Sequence, residues 1–168
     1  MDLRPARPGE AALLSDLALR SKAHWGYDAA FLERCRPVLT LRPGEVESRH
    51  TVVAEDGGAV QGFYTIDGEE LGNLWIDPAH LRRGVGRRLW EHAVETARRL
   101  GRAELLVVAD PHAEGFYRAM GAVRVGEVAS EVDPGRRLPL LRAPLQPRAT
   151  RGGRAALAER DPQRPAAL

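Results

Sequence analysis

Between Glu70 and Val108 the hydrophobic period changes twice, and few folds accommodate that change. Glu70–Ile76 (ELGNLWI) alternates as a short strand and breaks at Asp77-Pro78. The chain then passes through Arg82-Arg83-Gly84-Val85-Gly86-Arg87 into a helical pattern with Leu89, Trp90, Ala93, Ala97 and Leu100 on one face. Arg88, Glu91, Glu95 and Arg99 lie largely away from that face, and Gly101 stops the helix. Glu104–Val108 follows with Leu-Leu-Val-Val, a continuous apolar run that predicts a strand buried on both faces and parallel to the first. The order is that of a right-handed βαβ unit. At its glycine turn a ligand can approach backbone that carries no Cβ, and the first helical N–H groups are unpaired. Such a turn is an anion site, here flanked by Arg82, Arg83, Arg87 and Arg88, and a pyrophosphate is the expected occupant.

Around this unit the chain reads as one domain. Asp2–Ala6 predicts a first strand, ended by Arg7-Pro8-Gly9, and Ala11, Leu14, Leu17 and Ala18 recur at helical spacing up to His24-Trp25-Gly26-Tyr27. Asp28 is placed to cap a second helix through Phe31, Leu32, Cys35 and Leu39, which Pro37 should kink or shorten. From His50 the period becomes two: Thr51–Ala54, a turn at Glu55-Asp56-Gly57-Gly58, Ala59–Ile66, a turn at Asp67-Gly68, then Glu70–Ile76, a three-stranded meander. Asp110-Pro111 opens a short helix through Phe116 and Tyr117 to Met120, closed by Gly121. Val123–Val128 and Leu138–Leu145 read as closing strands.

With 168 residues, 43% hydrophobic and 29% charged, the chain has the composition of a globular protein with a single core. No apolar run reaches bilayer length and the first residues lack the apolar core of a secretory signal, so a cytoplasmic location is expected. The lone Cys35 reads as a core residue. The five histidines show no ligand spacing and there is no C-x-x-C, so no metal is expected. Residues 146–168 hold five Arg against Glu159 and Asp161, which leaves residues 1–145 with 20 basic and 21 acidic side chains. A nearly neutral body does not favour nucleic acid as partner. The segment 146–168, rich in Arg, Ala, Gly and Pro, is expected to be a mostly disordered tail beyond a domain of residues 1–145.

Two motifs identify the architecture. L-W-I-D-P-A-H-L-R-R-G-V-G-R-R-L resembles the pyrophosphate loop of the GNAT superfamily of acetyl-CoA dependent N-acetyltransferases, and D-P-H-A-E-G-F-Y-R-A-M-G-A resembles its coenzyme-binding final helix. Leu81 departs from the Gln or Arg usual at the loop's first position, but backbone N–H groups carry most of the grip on a diphosphate. The resemblance covers about residues 2–145. It implies an α/β fold with a mixed sheet of about seven strands, an antiparallel N-terminal part, a central βαβ with splayed parallel strands, and about four helices. It implies acetyl-CoA as co-substrate, an amine of a small molecule or protein as acceptor, and, for many members, a homodimer.

The resemblance also distributes roles. Arg82, Arg83, Gly84, Val85, Gly86 and Arg87 would hold the pyrophosphate. Backbone of Trp75 and Ile76, on a bulged strand, would meet pantetheine and the acetyl carbonyl, although Trp75 is equally a core residue. Tyr117 would protonate the departing thiolate, with Phe116 beside it as a coenzyme contact or core residue. Glu70 matches a position where some members carry a catalytic base, and equally suits a solvent-facing strand start. Asp110 stands where many members carry an Asn near pantetheine, and is equally a helix cap. His24, Trp25 and Tyr27, between the first two helices, would line the acceptor side, or pack a hinge. Two further readings stay open: an acyl-CoA-binding sensor or partner-binding module without turnover, and an Arg-rich tail that acts as a nucleic-acid arm.

Overall fold

A computed structural model describes residues 1–145; the tail expected at 146–168 lies outside the described residues. Seven strands form one sheet: β1 (Asp2–Pro5), β2 (His50–Asp56), β3 (Ala59–Asp67), β4 (Glu70–Ile76), β5 (Glu104–Val108), β6 (Val123–Ala129) and β7 (Arg137–Pro144), in the spatial order β1-β2-β3-β4-β5-β7-β6. Five helices accompany it: α1 (Ala11–Ala23), α2 (Ala29–Leu39), α3 (Pro43–Ser48), α4 (Val85–Arg99) and α5 (Glu114–Ala119). Every strand pair is antiparallel except β4 with β5. Among the described residues no helix is long and apolar enough to cross a membrane.

Local chemistry sets the element ends. The Asp28 carboxylate accepts from the Phe31 N–H (2.8 Å) and caps α2, which runs through Pro37 unbroken to Leu39. Gly101, at φ +73°, closes α4: its N–H donates to the Arg98 carbonyl (2.9 Å) and that of Arg102 to Ala97 (3.0 Å). Helix α3 is the fifth where about four were expected. It is one and a half turns long and buries only Val46, so it leaves no periodic signal; Pro43 starts it and the Glu45 carboxylate accepts from the Arg42 N–H (2.8 Å).

The sheet buries both faces. Against one face pack Leu14, Leu17, Ala18, Val53 and Phe63, and against the other Ala54, Tyr64, Leu89, Trp90, Ala93, Leu105 and Tyr117. Alternation carries neighbours to opposite sides, as in Phe63 and Tyr64. In β4 the alternation is interrupted. Thr65 pairs with Asn73 and Ile66 with Leu71, so Gly72 is an extra residue, a β-bulge. Leu71, Leu74 and Ile76 consequently share the α4 face although their spacing is odd, while Trp75 turns to the α1 face.

Beyond that bulge the parallel pair opens. β4 and β5 are in register only at Glu70 and Leu106, with the Leu106 N–H donating to the Glu69 carbonyl (2.8 Å). The burial expected on both faces of β5 is met on one only: Leu105 and Val107 are buried in the α4-face core, while Leu106 is half-buried and Val108 37% exposed on the other face, where the α1-side core does not extend. Leu74–Ile76 keep β3 on one side and face a gap on the other.

Gly62, opposite Ile76 on β3, permits this arrangement. A Cβ there would stand 2.7 Å from the Trp75 carbonyl oxygen, 3.0 Å from Ile76 Cδ1 and 3.1 Å from Leu89 Cδ1. Because the first obstacle is backbone, β4 or α4 has to shift. Gly62→Ala is expected to lower stability by about 1–3 kcal/mol in urea unfolding, whereas Gly44→Ala, with open space around its Cβ, should stay within about 0.5 kcal/mol of the parent.

Candidate functional site

A cavity of about 800 Å³ opens along Leu74–Ile76, where β4 has parted from β5. Its walls come from both sides of the sheet. Gly84, Gly86 and Arg87 at the α4 start, with Phe116, Tyr117, Ala119 and Met120 of the α5 segment, form one part; Ser21, Trp25, Asp110 and His112 form another, with Leu74, Trp75 and Ile76 between. A slot through a sheet lets two molecules approach one point from opposite faces.

The α4 start is shaped as an anion cradle. Gly84 caps the helix at φ +84°, a left-handed conformation that strains any side chain, and no side chain caps the amides behind it. Arg82 also sits at positive φ (+60°), an uncommon conformation for a residue with a Cβ, two residues ahead of the cap. The fifteen-residue helix adds its dipole to those N–H groups. A Cβ on Gly86 would lie 3.5 Å from the Phe116 ring and 3.7 Å from Ile76 Cγ1, so the floor has room for a methyl group and no more. Arg82 and Arg87 line the cavity; Arg83 is exposed outside it, and the Val85 side chain is core.

Tyr117 packs edge-on against Trp90 (5.5 Å between ring centres) and Phe116 (5.2 Å), and its side chain lines the slot. Its hydroxyl makes no side-chain hydrogen bond among the described residues, and burial pushes its pKa upward, so the phenol keeps its proton at neutral pH. Trp75 Nε1–H donates to Asn73 Oδ1 (2.8 Å), which fixes the indole over the α1 face. Glu70 is exposed at the vertex where β4 still pairs with β5, and the cavity walls do not include it.

Asp110 has two functions. It caps the turn Pro111–Ala113 by accepting from the His112 N–H (2.9 Å), and its carboxylate also accepts from Lys22 Nζ (2.6 Å), the Tyr27 hydroxyl (2.9 Å) and the Arg136 guanidinium (3.4 Å). Burial pushes the carboxyl up, but the bonds from Lys22, the His112 backbone and Tyr27 outweigh it, and the pKa falls below the ordinary 3.8. Burial and the neighbouring Asp110 push the Tyr27 phenol up to about 12. With four donors on two oxygens, Asp110 has little left to offer a coenzyme amide.

The expected acceptor residues divide. Trp25 lines the cavity and stacks on the His112 ring at 5.0 Å and 4°. His24 stands edge-on behind Trp25 (5.4 Å), and Tyr27 is engaged with Asp110, edge-on to His112 (5.8 Å). His112, Ser21, Lys22 and Arg136 were not singled out in the sequence. For His112 a signal existed, two positions after Asp110 inside the D-P-H-A motif; for Lys22 and Arg136 there was none, since they meet Asp110 from 88 and 26 residues away. No group of three or more His, Cys, Asp or Glu side chains among the described residues is arranged to hold a metal ion.

Comparison with known proteins gives concordant results. A family model described as an acetyltransferase (GNAT) domain matches residues 20–132. The peptidyl-lysine N-acetyltransferase YjaB of Salmonella typhimurium is 36% identical over 91 residues, 54% of this chain. The chain spans 60% or less of the length of the curated relatives it matches. Among solved structures, a GCN5-related N-acetyltransferase from Rhodopseudomonas palustris superposes with a TM-score of 0.75 over 85% of this chain and 94% of its own, at 20% identity. PaiA N-acetyltransferase from Thermoplasma acidophilum, in complex with coenzyme A, has a TM-score of 0.67 over 85% and 98%, at 15% identity. At those identities the likeness is one of fold.

The Asp110 cluster predicts a particular acid sensitivity. A carboxyl held below its unfolded value contributes stability that is fully present above pH 3.8 and lost as the pH falls through the lower folded value. The urea midpoint should therefore drop more steeply below pH 3.8 than in the double variant Asp110→Asn/Lys22→Met. Asp110→Ala alone, which leaves buried cations unpaired, should cost about 3–5 kcal/mol at pH 7, partly recovered by adding Lys22→Met.

Proposed function

The chain belongs to the GNAT acetyltransferase family, and from that premise we propose that it transfers an acetyl group from acetyl-CoA to an amine by direct attack while both are bound. The observation that carries this reading is the slot itself, an anion cradle and an open strand edge meeting a buried phenol at a gap through the sheet. The residues present fit acetyl-CoA. A diphosphate at the α4 start would meet helix amides and the side chains of Arg82 and Arg87, with Gly84 and Gly86 leaving the approach clear. Pantetheine would run along the unpaired edge of Leu74–Ile76 as an added strand does, past Phe116. The backbone N–H groups there would polarise the acetyl carbonyl, and the proton on the Tyr117 hydroxyl would pass to the departing sulfur. PaiA, with the same fold, was solved with coenzyme A, and the relative YjaB is named for peptidyl-lysine, a primary amine. A protein lysine and a small amine both remain within the proposed acceptor class, and a cytoplasmic location suits this reading.

Calorimetry is expected to give acetyl-CoA binding at about micromolar Kd, some −8 kcal/mol. Gly86→Leu, whose side chain meets Phe116 and Ile76, should weaken it at least about tenfold. Tyr117→Phe should lower turnover about 10²-fold with little change in coenzyme binding. Binding without thiol release over any amine would instead favour the sensor.

A further inference from the structure

An amine is mostly an ammonium ion at neutral pH and has to lose a proton before it attacks. Something on the acceptor side must take that proton. The cavity walls hold few groups able to do so. Arg82 and Arg87 are cations, and Tyr117 keeps its proton. Among the described residues Asp110 is the only carboxylate lining the cavity, and its oxygens already accept from four donors. His80 and His112 remain. His80 belongs to the turn Pro78–His80 that leads into the pyrophosphate-type loop. His112 instead faces the α1 side, where its ring is exposed, stacked on one face against Trp25 at 5.0 Å and edge-on to Tyr27 at 5.8 Å.

The ring is held without being used. Neither of its nitrogens makes a hydrogen bond among the described residues, while its backbone N–H is fixed on Asp110 (2.9 Å). The groups that face it are Trp25 and Tyr27 from the α1–α2 junction, with His24 behind Trp25; the charged side chains around it are Lys22 from α1, Arg136 from the loop between β6 and β7, and Asp110 from its own turn. Asp110's charge is taken up by Lys22 and Arg136, so it does not compete for the acceptor's ammonium ion. The imidazole stands at the cavity wall, positioned by its stack on Trp25, and a ring whose nitrogens have no partner among the described residues can act as a proton acceptor.

We propose that His112 is the general base of the acetyl transfer, acting on the acceptor amine from the α1 side of the sheet while Tyr117 acts on sulfur from the α4 side. The inference rests on the acetyltransferase reading. The step balances. A ring nitrogen of His112 takes one N–H proton from the ammonium ion, and the freed electron pair forms the N–C bond to the acetyl carbon. The C–S bond breaks and sulfur receives the Tyr117 proton. The nitrogen, now bonded to the acetyl carbon, gives up its second proton, which reaches the Tyr117 phenolate through solvent and restores the phenol, and the imidazolium proton returns to solvent. No oxidant or further reactant is needed. Trp25 and Asp110 are positioning residues for the base in this scheme.

The test measures thiol release with acetyl-CoA and three amines (benzylamine, lysine amide and a lysine-containing peptide) between pH 5.5 and 9. For the amine with the highest turnover, His112→Gln should lower kcat/KM about 10²-fold and flatten the acid limb of the pH profile. Its acetyl-CoA Kd by calorimetry should stay within twofold, which also establishes that the variant is folded. In His112→Ala, added imidazole should restore part of the rate, a rescue that a structural role would not give. An unchanged acid limb in His112→Gln, or a limb removed instead by Glu70→Gln or His80→Gln, overturns the proposal and leaves the acetyltransferase reading in place. Acetyl-CoA binding without turnover of any of the amines by the parent chain overturns both.

Discussion

The structure depends on two parallel strands that do not stay together. β4 and β5 share one register pair at Glu70 and Leu106 and then separate, giving up ladder hydrogen bonds that a regular sheet would make. Unpaired backbone groups in an interior are costly, so such a gap persists only where water or a ligand satisfies them and the flanking elements are held from elsewhere. Here β3 holds β4, β7 holds β5, and the helix that joins the pair packs across β3 and β4. Each side of the gap is thus secured by its own antiparallel neighbour.

Two glycines regulate how close the walls come. Gly72 adds a residue to β4, so Leu74 and Ile76 turn to the α4 face and Trp75 to the α1 face. Gly62 lets β3 lie against the Trp75 carbonyl and α4 against both. Neither glycine is in the loop, yet both set where the β4 edge lies beside it. The conspicuous arginines contribute less geometry: Arg83 is exposed, and the left-handed cap at Gly84 is a matter of backbone.

Local signals made most of the fold legible. Period-two and period-3.6 patterns, Gly101 and the Asp28 and Asp110 caps marked every strand and four of the helices, because each depends on neighbours within a few residues. α3 was hidden by its shortness, and the exposure of Val108 by the limited reach of the α1-side core, which leaves no mark on local periodicity. The site divides in the same way. Gly84, Gly86, Phe116 and Tyr117 lie in contiguous motifs and line one cavity. The partners of Asp110 come from α1, the α1–α2 junction and a loop near the chain's far end, and no spacing rule links Lys22 to Arg136. Glu70 illustrates the remaining limit: its distance in sequence from Ile76 was readable, but the bulge between them and the vertex beside it were not.

Asp110 explains why those distant partners are present. At a position where the resemblance leads one to expect an amide, a carboxylate needs cations, since burying an unpaired charge costs several kcal/mol while an amide would need only ordinary hydrogen bonds. The chain supplies Lys22 and Arg136, and a buried pair of this kind gains little net stability over a neutral alternative. What it does provide is registration. Lys22 and Tyr27 tie the α1–α2 junction to the turn that begins α5, and Arg136 ties the β6–β7 loop to both. Trp25, three residues after Lys22, is thereby held against His112, five residues before Tyr117 on the same segment. The Trp25 wall and the segment that carries Tyr117 are therefore tied together by one carboxylate, which sets the position of one face of the slot against the other.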